Sequence, residues 1–273
     1  MHISKFKQHD KSIEHPRSET EAMWDSRAAQ FSLAQQADNT GFPDKVTRLL
    51  TEKGYIKDQT VLDIGGGTGR YALPFAQIAK SVTLTDLSTA MLQEAQKLAQ
   101  KARLSNLRYQ KLDWEQVQIE GSSWEKSHDL VFASMCPALR SEEGLIKMSQ
   151  AARKAGVINQ FIKTSDSLID QLKAAGNILE HYDPHNDRDI IQTYFKLLWD
   201  AGYEVQLYYH HYQSTEVYTI ANAAMRYGGR FAAYNYIWKG QQFSLADILA
   251  LWAVNGQLEV HNETVLATII WEV

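Results

Sequence analysis

Short apolar runs alternate with helical patterns over roughly the first 165 residues of the chain. Period-3.6 patterns predict helices, and apolar runs of about five residues bounded by turn residues predict buried strands. Strands are predicted at residues 60–64, 81–85, 107–111, 129–133 and 156–162, and helices at 43–53, 69–79, 88–102 and 141–154. Because parallel strands need covering crossovers, this order predicts an α/β fold with a parallel sheet and helices on both faces.

The pattern loosens after Lys163. Helices are predicted at 165–174 and 189–201, a strand at 203–212 and one or two strands at 258–273. Two further helices, 215–227 and 244–254, are separated by Gly228, Gly229 and several aromatic residues. Their place between the last strands predicts a helical insertion.

Composition narrows the possible partners. The net charge is −4, and the cations of the most basic segment, Lys97 to Arg103, alternate with apolar helical positions. A nucleic-acid-binding face needs clustered cations, so no nucleic-acid partner is predicted. Cys136 is the only cysteine, which excludes an internal disulfide and fits a reducing, intracellular setting. No apolar run is long enough to span a bilayer, so we predict a cytoplasmic protein without membrane contact.

A glycine loop follows the first predicted strand directly. Gly65, Gly67 and Gly69 precede a helix, and glycines allow positive φ and close approach of the backbone to a ligand. The helix start offers free N–H groups to a carboxylate or a phosphate. Dinucleotide enzymes use a similar turn, and Gly67, Gly69 and Ala72 also fit GxGxxA. A nicotinamide-dependent oxidoreductase therefore stays open at this point.

Acidic residues follow the next two predicted strands. Asp86 lies 21 residues after Gly65, where a carboxylate can accept both hydroxyls of a ribose, a role shared by NAD and S-adenosylmethionine. Asp113 and Trp114 follow the third strand. There, an acid can accept the adenine amino group and an aromatic ring can cover the base. This pair favours S-adenosylmethionine over NAD.

These motifs, in this order, resemble the class I S-adenosylmethionine-dependent methyltransferases. The resemblance rests on the run from Asp63 to Gly69, on Asp86-Leu87-Ser88 with Met91-Leu92, and on Leu112-Asp113. It implies a Rossmann-like, seven-stranded, mostly parallel sheet whose last strand is antiparallel. It implies a cofactor across the carboxyl ends of the first strands, held by Asp63, Gly65, Gly66, Gly67, Gly69, Asp86, Leu87, Met91, Asp113 and Trp114. It names no acceptor, and we predict a small molecule; a protein that binds the cofactor without turnover is a further alternative.

An N-terminal helix with Trp24, Arg27 and Phe31 near one face is similar to a helix that closes over the cofactor in several of these enzymes. Arg27 is then predicted to meet the cofactor's carboxylate. The alternative is a helix whose aromatic residues only pack on the sheet.

The family places the methyl acceptor above the fourth strand, which Ser134 to Leu139 follow. Cys136 in this segment is a catalytic candidate as a soft contact for the acceptor. Elsewhere in the chain, His210 or His211 is a candidate general base. The alternative for Cys136 is a small buried hydrophobe.

A metal site built from His181, His185, His210 and His211 is not predicted, because neighbours in a strand point to opposite faces.

The predicted organisation has four parts. Residues 1–54 form an N-terminal helical cap, 55–214 the Rossmann-like core, 215–256 a helical insertion and 257–273 the final strands of the core sheet. The insertion is rich in aromatic residues, which suits either an acceptor cap or an interface in a homodimer.

Overall fold

The computed structural model describes residues 17–179 and 182–273. The first 16 residues of the predicted N-terminal cap, and His181, lie outside the described residues.

A seven-stranded sheet dominates the fold, as predicted. Its strands stand in the order β3-β2-β1-β4-β5-β9-β6, mostly parallel, with the antiparallel pairing in the last strands. The strands are β1 (Thr60–Ile64), β2 (Ser81–Asp86), β3 (Leu107–Lys111), β4 (His128–Ser134), β5 (Ala152–Asp166), β6 (Val205–Thr219) and β9 (Gln257–Glu272). A separate hairpin pairs β7 (Tyr236–Trp238) with β8 (Gln241–Phe243).

The described helices are α1 (Arg17–Gln36), α2 (Phe42–Glu52), α3 (Ala72–Ala76), α4 (Thr89–Lys101), α5 (Glu142–Ala151), α6 (Ser167–Ala175), α7 (Arg188–Asp200), α8 (Ile220–Phe231) and α9 (Leu245–Trp252). Side chains cap several of them: Ser88 accepts from the Met91 amide and Asp166 from the Leu168 and Ile169 amides. Such caps satisfy N–H groups that the first helical turn leaves without partners.

The central strands are buried on both faces. β1 pairs in parallel with β2 through Val61 and Val82 and with β4 through Val61 and Leu130. All three residues are fully buried, as expected for parallel strands covered by helices. This register brings the carboxyl ends of β1, β2 and β4 to one edge of the sheet.

The described residues form two compact units. The first runs up to Gln160 and adds Arg188–His210 and Ala267–Val273; the second consists of Phe161–Asp187 and His211–Leu266. The four-part division stays a prediction, and the structure groups 161–187 with the second unit.

The second unit has its own apolar core, centred on Leu172, Tyr227, Phe231, Tyr236 and Ile248. Its hairpin, β7–β8, was not predicted. The hairpin turns at Lys239 and Gly240, which both have positive φ, the conformation that a two-residue hairpin turn requires.

Several element boundaries differ from the prediction. The helix predicted at 215–227 was wrong in its first five residues, which continue β6: burial alternates from Thr215 to Thr219, the period of a strand. Gly228 and Gly229 do not separate two helices but lie inside α8. The apolar face formed by Ala223, Tyr227 and Phe231 is buried, and this packing outweighs the low helix propensity of glycine. The helix after the glycine loop is only Ala72–Ala76, and residues 152–154 belong to β5.

Candidate functional site

The glycine loop leaves β1 at Ile64 and is held by backbone bonds to the neighbouring strand. Gly65, Gly67 and Gly69 have φ of 60°, 55° and 87°, values that residues with a Cβ adopt only at a cost. The Gly66 amide donates to the Thr85 carbonyl at 3.0 Å. The sequence therefore builds a fixed turn, because the glycines supply the angles and β2 supplies the anchor.

Two positions of the loop differ in the space around them. A Cβ on Gly66 would lie 2.6 Å from Asp63 Oδ2 and 2.9 Å from Leu84 Cγ. A Cβ on Gly67 would meet only Met91 Sδ, at 3.9 Å. Gly66 is thus needed for packing, whereas Gly67 presents an open backbone surface that a ligand can approach.

Asp86 joins the loop to the start of α4. Its carboxylate accepts hydrogen bonds from the Gly67 amide at 2.9 Å and the Ser88 amide at 2.8 Å. Burial raises its pKa, and these backbone bonds oppose the rise. The Leu87 amide also contributes a backbone bond to this carboxylate; since a carboxylate has about four lone-pair sites, capacity for a hydroxyl donor remains.

Asp63 is buried beneath the loop. Burial, and then the charge of Asp86, raises its pKa to about 8. Its Oδ2 has no hydrogen-bond partner among the described residues, although buried polar atoms are normally paired. The orphaned carboxyl oxygen lies beneath Gly66, within the turn that the glycine loop forms.

Asp113 follows β3 as predicted. The Leu112 amide donates to the Asp86 carbonyl, which brings the two acids into one region, and Asp113 Oδ1 accepts from the Glu115 amide. Trp114 is buried, and its indole N–H donates to the Gly144 carbonyl at 3.3 Å. The structure therefore places Trp114 in the core, packed beside α5.

Sequence reasoning missed the contacts of α1 with the site. Asp25 Oδ1 accepts from Ser88 Oγ at 2.5 Å and from the Ala90 amide at 3.0 Å. It thereby caps α4 one turn from Asp86. The Trp-Asp pair in the predicted helix was the available signal. Arg27, the residue predicted to meet the cofactor, is exposed and lies 5.7 Å from the Trp24 ring.

Two further bonds join the end of α1 to the glycine loop. Thr68 Oγ1 donates to Gln35 Oε1 at 2.6 Å, and Arg70 forms an ion pair with Asp38 at 2.7 Å. None of these four residues was predicted, because the sequence pattern does not show which face of α1 meets the loop.

Cys136 lies against the loop at the carboxyl end of β4. A Cβ on Gly65 would be 2.6 Å from its sulfur. Burial, and the nearby carboxylates of Asp86 and Asp63, raise the pKa of the thiol to about 12. The group is therefore a neutral thiol at physiological pH and is not a nucleophile.

The candidate histidines have different surroundings. His210 Nε2 lies 3.1 Å from Thr268 Oγ1, while His211 is exposed. His185 contacts Asp183 at 3.3 Å. Among the described residues, no group of three or more potential ligands is arranged to hold a metal ion. His181 lies outside the described residues.

The chain is similar to known proteins in part of its sequence and in its fold. Residues 61–156 match a family model described as a methyltransferase domain. No match was found among curated proteins. The YcgJ protein from Bacillus subtilis has a TM-score of 0.52 at 15% identity, over 83% of this chain and 97% of that protein, and supports the fold.

Two other solved structures score lower. The magnesium protoporphyrin IX methyltransferase from Synechocystis PCC 6803 has a TM-score of 0.45 at 18% identity, over 86% of this chain and 82% of that one. The precorrin-6y C5,15-methyltransferase from Geobacter metallireducens has 0.48 at 12%, over 83% and 87%.

The seven-stranded sheet is Rossmann-like. The match over 61–156 shows that this part of the chain is similar to a methyltransferase domain. In the part of the chain that the structure describes, no helix is both long and apolar enough to cross a membrane.

Proposed function

We propose that the protein transfers the methyl group of S-adenosylmethionine to a small-molecule acceptor. The observation that carries the choice of a small molecule is the charge of the site. Asp25, Asp86 and Asp113 belong to one region around the glycine loop and the start of α4. Such an acidic setting repels phosphates, whereas nucleic-acid binding depends on cations that neutralise them.

The contacts above support a set of proposed cofactor residues. Gly65, Gly66, Gly67 and Gly69 hold the amino-acid part of the cofactor, with Asp63 beneath them and Met91 beside Gly67. The carboxylate of Asp86 accepts from the ribose, and Leu87 and Asp113 face the adenine. Trp114 is left out because it packs in the core, and Arg27 because it lies on the outer surface of α1.

The protein has little covalent chemistry to perform. When bound, S-adenosylmethionine supplies an electrophilic methyl group on its sulfonium. The residues around it need to hold the acceptor's lone pair in line and exclude water. Cys136 packs against Gly65 as a neutral thiol. Because the sulfonium is already electrophilic, no covalent intermediate on the protein is required.

A screen of acceptors tests this function. The purified protein is incubated with S-adenosylmethionine labelled in its methyl group and with separate pools of phenols, carboxylic acids, amines, thiols and total RNA. Label that appears in one small-molecule pool supports the proposal. Label only in RNA contradicts the small-molecule assignment and leaves the methyltransferase assignment standing.

The second unit is proposed to serve either the acceptor or self-association. Ile237, Trp238, Leu251 and Val254 are exposed apolar side chains on β7, α9 and the residues after α9, and such groups often mark contact surfaces. Light scattering after size exclusion tests the homodimer: a mass near 31.1 kDa contradicts it.

We also propose a cytoplasmic location, which fits the single cysteine and is tested by cell fractionation.

A further inference from the structure

A chain of buried polar side chains begins at the carboxyl end of β4. Asn159 on β5 pairs in register with Ser134, and its carbonyl accepts the Met135 amide at 3.0 Å. Met135 has a φ of 52°, a conformation that a side chain with a Cβ adopts only when its surroundings enforce it. The backbone of Asn159 thus supports the turn where the acceptor is proposed to enter.

The directions of the next two hydrogen bonds follow from the donors available. Thr268 Oγ1 donates to Asn159 Oδ1 at 2.7 Å. A threonine hydroxyl has one hydrogen, so at its 3.1 Å contact with His210 Nε2 the threonine oxygen accepts. His210 must therefore carry a proton on Nε2. All three residues belong to the first unit.

This arrangement leaves the amide nitrogen of Asn159 turned away from Thr268. Asn159 is fully buried, and its Nδ2 forms no hydrogen bond of normal geometry among the described residues but lies close enough to the Tyr71 hydroxyl to lower the pKa of Tyr71. The side chains of Asn159 and Ser134 lie beside the hydroxyl of Tyr71, where both lower its pKa; burial raises that pKa by more. Tyr71 is buried, whereas Ser134 is half-buried. The polar chain therefore ends on two hydroxyls, and Ser134 is the more accessible.

We infer that Asn159 is a positioning residue for the methyl acceptor: His210 and Thr268 fix its amide so that Nδ2 faces Tyr71, and this holds the Tyr71 and Ser134 hydroxyls where the acceptor enters. The inference rests on the proposed function, since it assumes an acceptor at the end of β4. Asn159 acts through Tyr71 and Ser134 and does not itself touch the substrate.

Nuclear magnetic resonance of the full chain tests the chain of hydrogen bonds without a known acceptor. Imidazole ¹⁵N shifts report the tautomer of His210, assigned with His210→Gln, and ¹³Cζ-labelled tyrosine reports Tyr71, assigned with Tyr71→Phe. Thr268→Val removes the hydroxyl with little change in shape, and Thr268→Ser keeps it. Thr264→Val makes the same change elsewhere on β9 as the matched control.

The expected wild-type result is a proton on Nε2 of His210. Thr268→Val is expected to remove this tautomer preference and to shift the Tyr71 signal, while Thr268→Ser and Thr264→Val leave both unchanged. A proton on Nδ1 of His210 in the wild type overturns the inference. So does a Tyr71 signal that Thr268→Val does not move.

Kinetics with an acceptor from the screen adds a second test. Thr268→Val is expected to lower kcat/KM for the acceptor about tenfold, the effect of one lost hydrogen bond, and to leave KM for S-adenosylmethionine unchanged. An unchanged kcat/KM for the acceptor overturns the inference. The two failures are distinguishable, because failure of the cofactor to bind the wild type overturns the proposed function and leaves the magnetic resonance result valid.

Discussion

The carboxylate of Asp86 accepts a hydrogen bond from the backbone amide of Gly67 at 2.9 Å. One bond therefore joins the end of β2 to the turn that follows β1. Since Gly67 has positive φ and an open side, Asp86 fixes the loop in the form that a ligand meets. A second bond, from the Ser88 amide, ties the same carboxylate to the start of α4.

Asp63 predicts a dependence of stability on pH. Its pKa is raised from 3.8 to about 8 in the folded protein, so the folded state holds a proton that the unfolded state loses. The contribution to stability is full below about pH 4 and is lost as pH rises towards 8, by up to about 1.4 kcal/mol per pH unit.

Asp63→Asn removes this titration, because an amide stays neutral. Urea unfolding between pH 5 and 8 is expected to show the wild type losing free energy of unfolding relative to Asp63→Asn as pH rises. A constant difference between the two proteins across that range would show that Asp63 does not titrate there.

Gly156 and Gly228 predict opposite effects of the same substitution. A Cβ on Gly156 would lie 2.1 Å from the Trp271 ring, and overpacking a core typically costs about 1–3 kcal/mol. Gly228 lies inside α8 with nothing within 4 Å of a Cβ, and alanine there gains about 0.5–1 kcal/mol. The melting temperature is expected to be lower than that of the wild type for Gly156→Ala and higher for Gly228→Ala. Equal melting temperatures would contradict the packing described.

The contacts of Asp25 with the start of α4 are expected to stabilise the packing of α1. Its carboxylate caps α4 and bonds Ser88, and loss of a helix cap costs about 1 kcal/mol. Asp25→Ala is expected to increase hydrogen exchange across residues 17–36 while exchange in β1 and β4 stays unchanged. The matched control is Asp44→Ala in the first turn of α2. Identical hydrogen exchange across residues 17–36 in both variants would show that Asp25 does not hold α1 in place.

Cys136 predicts an unreactive thiol. With a pKa near 12, little thiolate exists at pH 8, so alkylation by iodoacetamide is expected to be far slower than for the protein unfolded in guanidinium. Cys136→Ser is expected to keep cofactor binding. Alkylation at the unfolded rate would contradict the burial of the thiol.

The sequence was sufficient for the parts of the fold that depend on local pattern. The strand at 107–111 was predicted to the residue. The glycine loop and the acids after the next strands predicted the cofactor, because their spacing follows from the geometry of a strand, a turn and a helix. The assignments of individual cofactor residues stay predictions.

Contacts between distant segments could not be read from the pattern. The bonds of Asp25 with Ser88 and of Gln35 with Thr68 depend on how α1 packs. The burial of Trp114 depends on its contact with α5, which the sequence pattern does not show. The strand at 215–219 was missed because Glu216 and Tyr218 fit either period, and tertiary pairing decides. Asn159 and Thr268 are ordinary strand residues in sequence and become a pair only when β5 and β9 meet.

The central claim is tested most directly by thermal-shift titration of the wild type, Asp86→Ala and the control Asp129→Asn with S-adenosylmethionine, S-adenosylhomocysteine and NADH. Asp129 lies at the opposite end of β4, bonded to Arg153 and Thr60. We expect both adenosyl compounds to raise the melting temperature of the wild type and the Asp129 variant, as ligands specific for the folded state do, and this shift to be lost in Asp86→Ala. Stabilisation by NADH alone, or an equal shift in Asp86→Ala, would contradict it.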